Sequence, residues 1–308
     1  MDLAGLIFDD SPHYLDHLAP FCIWLGCPLI ICEPHIASHA QTFYPDLTLI
    51  ETPLHALQLP RKTIACESPV FLRASFPFER STFFWLPHGS SDKGYASPYL
   101  SSLEGERAFV YGQKMIDWIH AAGVRVKTIE VGNFRLEYFK KQNQNIGLEE
   151  GSFLYAPTWD DHEQSNSFWD SFSHLVNALP QNHRLYIRLH PNTLQKFPLE
   201  VELQLASHMG KKGVVLASSY SPIYPLLAKC SSYIGDMSSI GYDFLSFDRP
   251  MFFLKAKEHL PLHRCGEGID LKSFDYQVKK DFSERRRQLY RYTFSENISP
   301  KKVKEDIL

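Results

Sequence analysis

The chain has 308 residues, of which 44% are hydrophobic and 22% charged, with a formal net charge of -3. This is the balance of a globular protein long enough for two units, and it lacks the basic surplus by which nucleic-acid binders are recognised. The six cysteines, Cys22, Cys27, Cys32, Cys66, Cys230 and Cys265, sit mostly in apolar runs without zinc spacing or a Cys-x-x-Cys pair, so buried free thiols in a reducing compartment are expected.

The opening MDLAGLIFDD has no basic signal-peptide region, which predicts a cytoplasmic protein. The run Pro20 to Cys32 is broken by Gly26 and Pro28 and is too short to span a bilayer. Short apolar or β-branched runs at Leu3 to Phe8, Leu29 to Cys32, Leu47 to Ile50, Thr63 to Cys66, Thr82 to Leu86, Ala108 to Tyr111 and Val126 to Val131 alternate with helical or turn-rich stretches. That alternation predicts an α/β unit, a mostly parallel sheet with helices on both faces.

Between Gly132 and Gly151 the chain turns polar, and a junction is placed there: residues 1–134 as one α/β domain, 135–308 as a second. The second repeats the style, with strands at Phe153 to Ala156, Leu185 to Leu189, Val214 to Ala217, Ser232 to Gly235 and Met251 to Leu254, and a helix over Ser165 to Ala178. Two doubly wound Rossmann-like domains facing a cleft, the GT-B architecture, are expected. A last helix over Phe282 to Tyr292 is predicted exposed or packed back on the first domain.

In an open parallel sheet, ligands bind outside the carboxyl ends of the strands. His88, Thr158, Asp160, His190, Ser218, Ser219 and Asp236 to Ser239 all follow predicted strands, so one cleft lined by histidines, hydroxyls and charges is predicted. The stretch from Cys230 to Leu254 reads strand, polar turn, helix over Ser238 to Phe247, strand, with Asp236 and Ser238 as caps. A helix start suits a phosphate, but Ser and Asp also cap helices for stability alone. His88 reads either as a base, its ordinary pKa being near 6.5, or as a ring bonded to its own turn. Gly89 beside it permits close backbone approach. Lys93 reads as a phosphate partner or a solvated surface charge, Arg135, at the junction, as a surface salt bridge, and His190 as a core ring or a donor into the cleft. Asp160 and Asp161 fit acid–base work or a cap, and Trp159 the floor of a nucleotide site or core. No metal site is indicated, and no dinucleotide or Walker fingerprint is present.

Several stretches together resemble the CDP-glycerol glycerophosphotransferase family, the teichoic-acid polymerase type. They are LPHGSSDKG (Leu86 to Gly94), GNFRLEYF (Gly132 to Phe139), YAPTWDD (Tyr155 to Asp161), RLHP (Arg188 to Pro191) and DMSS (Asp236 to Ser239) with Tyr242-Asp243. Phe134 stands where the family has Pro, Met237 where it has Tyr, and Tyr242-Asp243 where it has Phe-Asp. The N-terminal third carries no matching motif.

The resemblance implies a transferase moving a polyol phosphate from a CDP-activated donor to an acceptor hydroxyl, with no cofactor. The acceptor would be lipid- or glycan-linked, at the inner membrane face, which implies peripheral membrane contact. Residues 1–134 would then serve the acceptor and 135–308 the nucleotide. His88 would take the acceptor proton, with His190 the next candidate base, Ser238 and Ser239 would hold the diphosphate, and Arg135, Lys93 and His190 would neutralise charge, with Gly89, Thr158, Arg188 and Asp236 completing the binding set. A nucleotide-sugar transferase or epimerase of the same architecture, and a nucleotide-binding module whose catalysis has decayed, remain as alternatives.

Overall fold

The computed structural model describes residues 2–76, 80–93, 101–142, 146–159, 166–208, 210–218 and 220–307. Two parallel sheets carry the chain. The first contains β1 (Leu3–Ile7), β2 (Leu29–Ile31), β3 (Leu49–Glu51), β4 (Lys62–Ala65), β5 (Thr82–Trp85), β6 (Arg107–Val110) and β7 (Lys127–Glu130), in the order β3-β2-β1-β4-β5-β6-β7. The second contains β8 (Glu149–Ala156), β9 (Arg184–Ile187), β10 (Val214–Leu216), β11 (Cys230–Gly235), β12 (Met251–Phe253) and β13 (Glu267–Gly268), in the order β10-β9-β8-β11-β12-β13.

The inner strands read as continuous apolar runs because helices cover both of their faces. Ile64, Phe84, Trp85, Phe109, Tyr155, Ile187, Ile234 and Phe253 are all buried. Each sheet reverses its strand order once, between β1 and β4 and between β8 and β11. The loops leaving those strands therefore diverge, and a crevice opens where they part.

Predicted and observed strands agree to within a residue or two at most ends. β8 starts earlier than expected, at Glu149, and the two-residue edge strand β13 was not foreseen. The helix expected over Ser238 to Phe247 is an α-helix only over Ser239–Phe244. It tightens into a 3-10 turn over Leu245–Phe247, closed by Asp248 at φ 48°. All six cysteines are buried and free.

After the second sheet the chain returns to the first. Helix Ser283–Thr293 lies against helix Gln113–Ala121, and helix Pro300–Ile307 lies against helix Leu15–Leu25 and β7. Phe294, Val303 and Ile307 are part of the first sheet's apolar core. Gly132 lets this return pass closely: at φ +60°, its missing Cβ would sit 2.4 Å from the Ser295 carbonyl oxygen. Among the described residues no helix is long and apolar enough to cross a membrane.

Candidate functional site

The carboxyl ends of the two sheets face each other, and His88, from the loop after β5, shares a cavity with Ser238 and Ser239, from the turn after β11. Gly89 makes the approach of the halves close. At φ +120° its missing Cβ would stand 2.8 Å from Ser239 Cβ, so the expected close backbone approach is to a side chain of the facing half.

Four imidazoles gather there. The ring of His13 lies 5.5 Å from His88 and 5.6 Å from His190, and His17 lies 6.5 Å from His88. His190 caps helix Pro191–Lys196, its Nδ1 accepting from the Asn192 N–H at 3.1 Å. A neutral ring that accepts at Nδ1 carries its proton on Nε2, so His190 is a hydrogen-bond donor and is unsuited to be a base. Tyr111 spends its one hydroxyl proton on Pro87 O at 2.8 Å, so His17 Nδ1, 3.2 Å away, donates to it.

Burial, reinforced by Lys93, pushes His88 down to about 4. Burial, reinforced by His88, pushes His13 down to about 3, and it holds His190 and His17 well below the usual range. All four rings are neutral at pH 7. His13 Nδ1 and His88 Nδ1 are buried without a hydrogen-bond partner among the described residues.

The charged residues are differently engaged. Arg135 was expected to neutralise phosphate. Its guanidinium is buried between Asp243, bonded at 2.7 Å, and the Asp16 carboxylate, while Nε donates to Asp16 O at 2.8 Å. Arg188 donates to Ser218 O, to Ser221 Oγ at 2.9 Å and to Ser221 O at 2.6 Å, and burial brings it down to about 10. Asp236 was expected at the phosphate. It accepts instead from the N–H of Thr158 (2.8 Å) and from the N–H and hydroxyl of Ser167 (2.9 and 2.7 Å), and burial raises it to about 6 against those bonds. A carboxylate removed from water needs such donors, and it is satisfied by its own loops. Arg135 and Arg188, which border the histidine cavity, and Asp236 therefore spend these bonds on holding the cleft walls in place.

Ser238 caps its short helix, its Oγ accepting from the Ile240 N–H at 3.4 Å. Lys93 Nζ donates to Thr158 Oγ1 across the cleft and stands 5.9 Å over the Trp159 ring, which Lys196 approaches to 4.3 Å. Asp160, Asp161 and Ser219 lie outside the described residues. Among the described residues no set of three or more His, Cys, Asp or Glu side chains is placed to hold a metal ion.

Sequence reasoning missed His13, His17 and Asp92. His13 follows β1 as His88 follows β5, so the strand-end rule, applied to β1, would have found it. Asp92 sits inside LPHGSSDKG, and its carboxylate accepts from the Tyr242 hydroxyl and from the Leu262 N–H at 3.0 Å, with Lys114 at 3.4 Å. These bonds close the seam between the halves. The histidine cavity is about 80 Å³, whereas sites for drug-sized ligands span roughly 300–1,000 Å³, so a nucleotide needs the seam to open.

A larger cavity of about 750 Å³ lies beyond the Asp16–Arg135 pair, walled by Phe43, Tyr44, Tyr138, Tyr186 and Tyr224. Its Lys229 is paired with Glu149 at 3.5 Å. The smaller cavity is the better candidate for chemistry, because the neutral imidazoles with unused nitrogens are there.

Residues 132–259 match the family model of CDP-glycerol:poly(glycerophosphate) glycerophosphotransferases. The motifs at Gly132 to Phe139, Tyr155 to Asp161, Arg188 to Pro191 and Asp236 to Ser239 fall inside the match, while His88 and Lys93 fall before it. No curated protein matches the chain. Among solved structures, it is similar to the wall teichoic acid polymerase TagF, in a histidine variant, at 14% identity and TM-score 0.64, over 99% of this chain and 89% of that one. The same polymerase soaked with CDPG gives 14% identity and TM-score 0.57, over 99% and 88%. The Anabaena protein HepE, in complex with UDP and glucose, gives 11% identity and TM-score 0.56, over 100% and 98%. These likenesses establish the fold, the expected GT-B arrangement of two facing α/β units.

Proposed function

We propose that the protein transfers glycerol phosphate, or a similar polyol phosphate, from a CDP-activated donor to an acceptor hydroxyl. The observation that carries this reading is the family match over 132–259, which supplies one wall of a cavity whose other wall presents His88. Residues 1–134 form the acceptor side and 135–308 the nucleotide side, with the last helix returning to the first. The acceptor is a lipid- or glycan-linked polymer reached by peripheral membrane contact.

His88 is the base. Neutral at pH 7, it takes the proton of the acceptor hydroxyl as that oxygen attacks the phosphorus, while the bond to CMP breaks and CMP departs as the anion. A ring held near 4 is a weak base by itself, but the negative charge of a bound diphosphate raises it toward the operating pH. His190 donates Nε2–H to a phosphoryl oxygen, the hydroxyls of Ser238 and Ser239 border it, and Lys93 exchanges Thr158 for the phosphate as the seam opens. Arg135, Arg188 and Asp236 act by holding loops in position.

The test is transfer of labelled glycerol phosphate from CDP-glycerol to membrane or glycan acceptors, with UDP-glucose as the competing donor. His88→Ala is expected to slow transfer by about 10²- to 10⁴-fold with donor affinity nearly unchanged. Turnover of UDP-glucose in place of CDP-glycerol would establish the sugar transferase instead, and equal rates in the two proteins would remove His88 from the mechanism.

A further inference from the structure

His13 belongs to no motif and has no role in the transfer described above. It leaves the carboxyl end of β1, where the first sheet reverses its order, and lines the same cavity as His88 and His190. Its ring stands against both, with centroids at 5.5 and 5.6 Å. Its Nδ1 is buried without a partner among the described residues. A native fold rarely leaves a buried nitrogen unpaired, and such a group calls for an explanation such as a ligand. The other two auxiliary rings are explained, since His17 is turned to Tyr111 and His190 to the Asn192 N–H.

We propose that His13 contacts the phosphate of the bound ligand, completing with His88 and His190 a three-histidine cradle that takes up a proton when the anion enters.

The charges that could otherwise receive an anion are already engaged. Arg135 is held by Asp16 and Asp243, Arg188 by Ser218 and Ser221, and Lys93 reaches Thr158. Beside His13 on its own turn, Tyr14 donates to Glu67 at 2.6 Å, and His17 follows on the next helix. An entering phosphate therefore meets neutral imidazoles first. Burial keeps His13 near 3 and His88 near 4, and a dianion among them in a water-poor cavity reverses that preference, because Coulomb attraction is strong there. The proton comes from solvent and settles on His13, which leaves His88 neutral and able to act as the base. No bond of the ligand is made or broken.

The inference rests on the proposed function only in requiring a phosphorylated ligand. It is tested by calorimetry with CDP-glycerol, UDP-glucose and inorganic pyrophosphate at pH 7, in buffers of different ionisation enthalpy, which counts protons taken up. Wild type is expected to gain a measurable fraction of a proton. His13→Gln, which keeps an amide donor but cannot titrate, is expected to lower that uptake and weaken binding about tenfold, as loss of a charge-assisted hydrogen bond does. His13→Asn serves if the first variant fails to fold. Parent-like affinity and proton uptake in the variant, or no uptake by wild type, would overturn the cradle. If CDP-glycerol does not bind but UDP-glucose or pyrophosphate does so with His13-dependent uptake, the transfer reading falls and the cradle stands. If CDP-glycerol binds without regard to His13, the cradle falls alone, and if none of the three binds, both fall.

Discussion

Arg135 is buried with its donors spent on Asp16 and Asp243, whereas His13 and His88 are half-buried, each with a buried Nδ1 that has no partner among the described residues. Both groups line one cavity. The difference lies in what each can do without a ligand. A guanidinium cannot shed its proton and must be paired to be buried. An imidazole can wait in its neutral form and acquire charge only when an anion arrives. Charge in this cleft is permanent where it joins the halves and conditional where a ligand would bind.

The comparison breaks most visibly at Arg135. Arg135→Met removes the guanidinium from the half-buried Asp16 and the buried Asp243, and denaturant titration should show a loss of about 3–5 kcal/mol. A loss below about 1 kcal/mol would mean that the pair is not the staple described. Gly89→Ala probes the contact between the two sides. Its Cβ would collide with Ser239 at a backbone angle that L residues avoid, so a loss of about 1–3 kcal/mol is expected, and scattering should show a more open molecule. Equal stability and equal radius would place the two halves further apart than the structure does.

Tyr242→Phe is milder. Asp92 keeps the Leu262 N–H and Lys114, so about 0.5–1.5 kcal/mol should be lost, and donor binding should gain in on-rate if the seam is what opens; a slower on-rate would assign Tyr242 to binding.

A separate effect lies in pH. His88 titrates near 6.5 when unfolded and at about 4 when folded. Between those values the unfolded chain binds more protons, so stability present above pH 6.5 is lost as pH falls to 4. Asp236, raised to about 6, works in the opposite direction, so the informative quantity is variant minus parent. His88→Gln should lose less stability than wild type over pH 6.5 to 4. Parallel pH profiles would show that His88 is not held neutral by burial.

The strands were legible in the sequence because inner strands of a doubly wound sheet are unbroken apolar runs, as at Phe83 to Leu86 and Leu185 to Ile187. Their ends then placed His88, His190 and Ser238 on one side of the molecule. What was not legible was the partner of each charge. Arg135 is bonded to Asp16, 119 positions away, and Asp236 to Ser167, 69 positions away, and no local pattern signals such pairs. The helix after Ser239 shortened because Leu245–Phe247 tighten to let Asp248 receive Arg286 and Arg287 from the returning helix. That too is a long-range bond.

The return of the chain also orders events in folding. The apolar core of the first sheet contains Phe294, Val303 and Ile307, so a nascent chain that has produced β1 to β7 still exposes the surface those side chains will cover. The strands of the first sheet come early, but their apolar core is completed only after the second sheet has been synthesised. Contacts of such sequence separation slow folding, and a ribosome-bound fragment ending near residue 140 should therefore be sticky and protease-sensitive until residues 294–307 emerge.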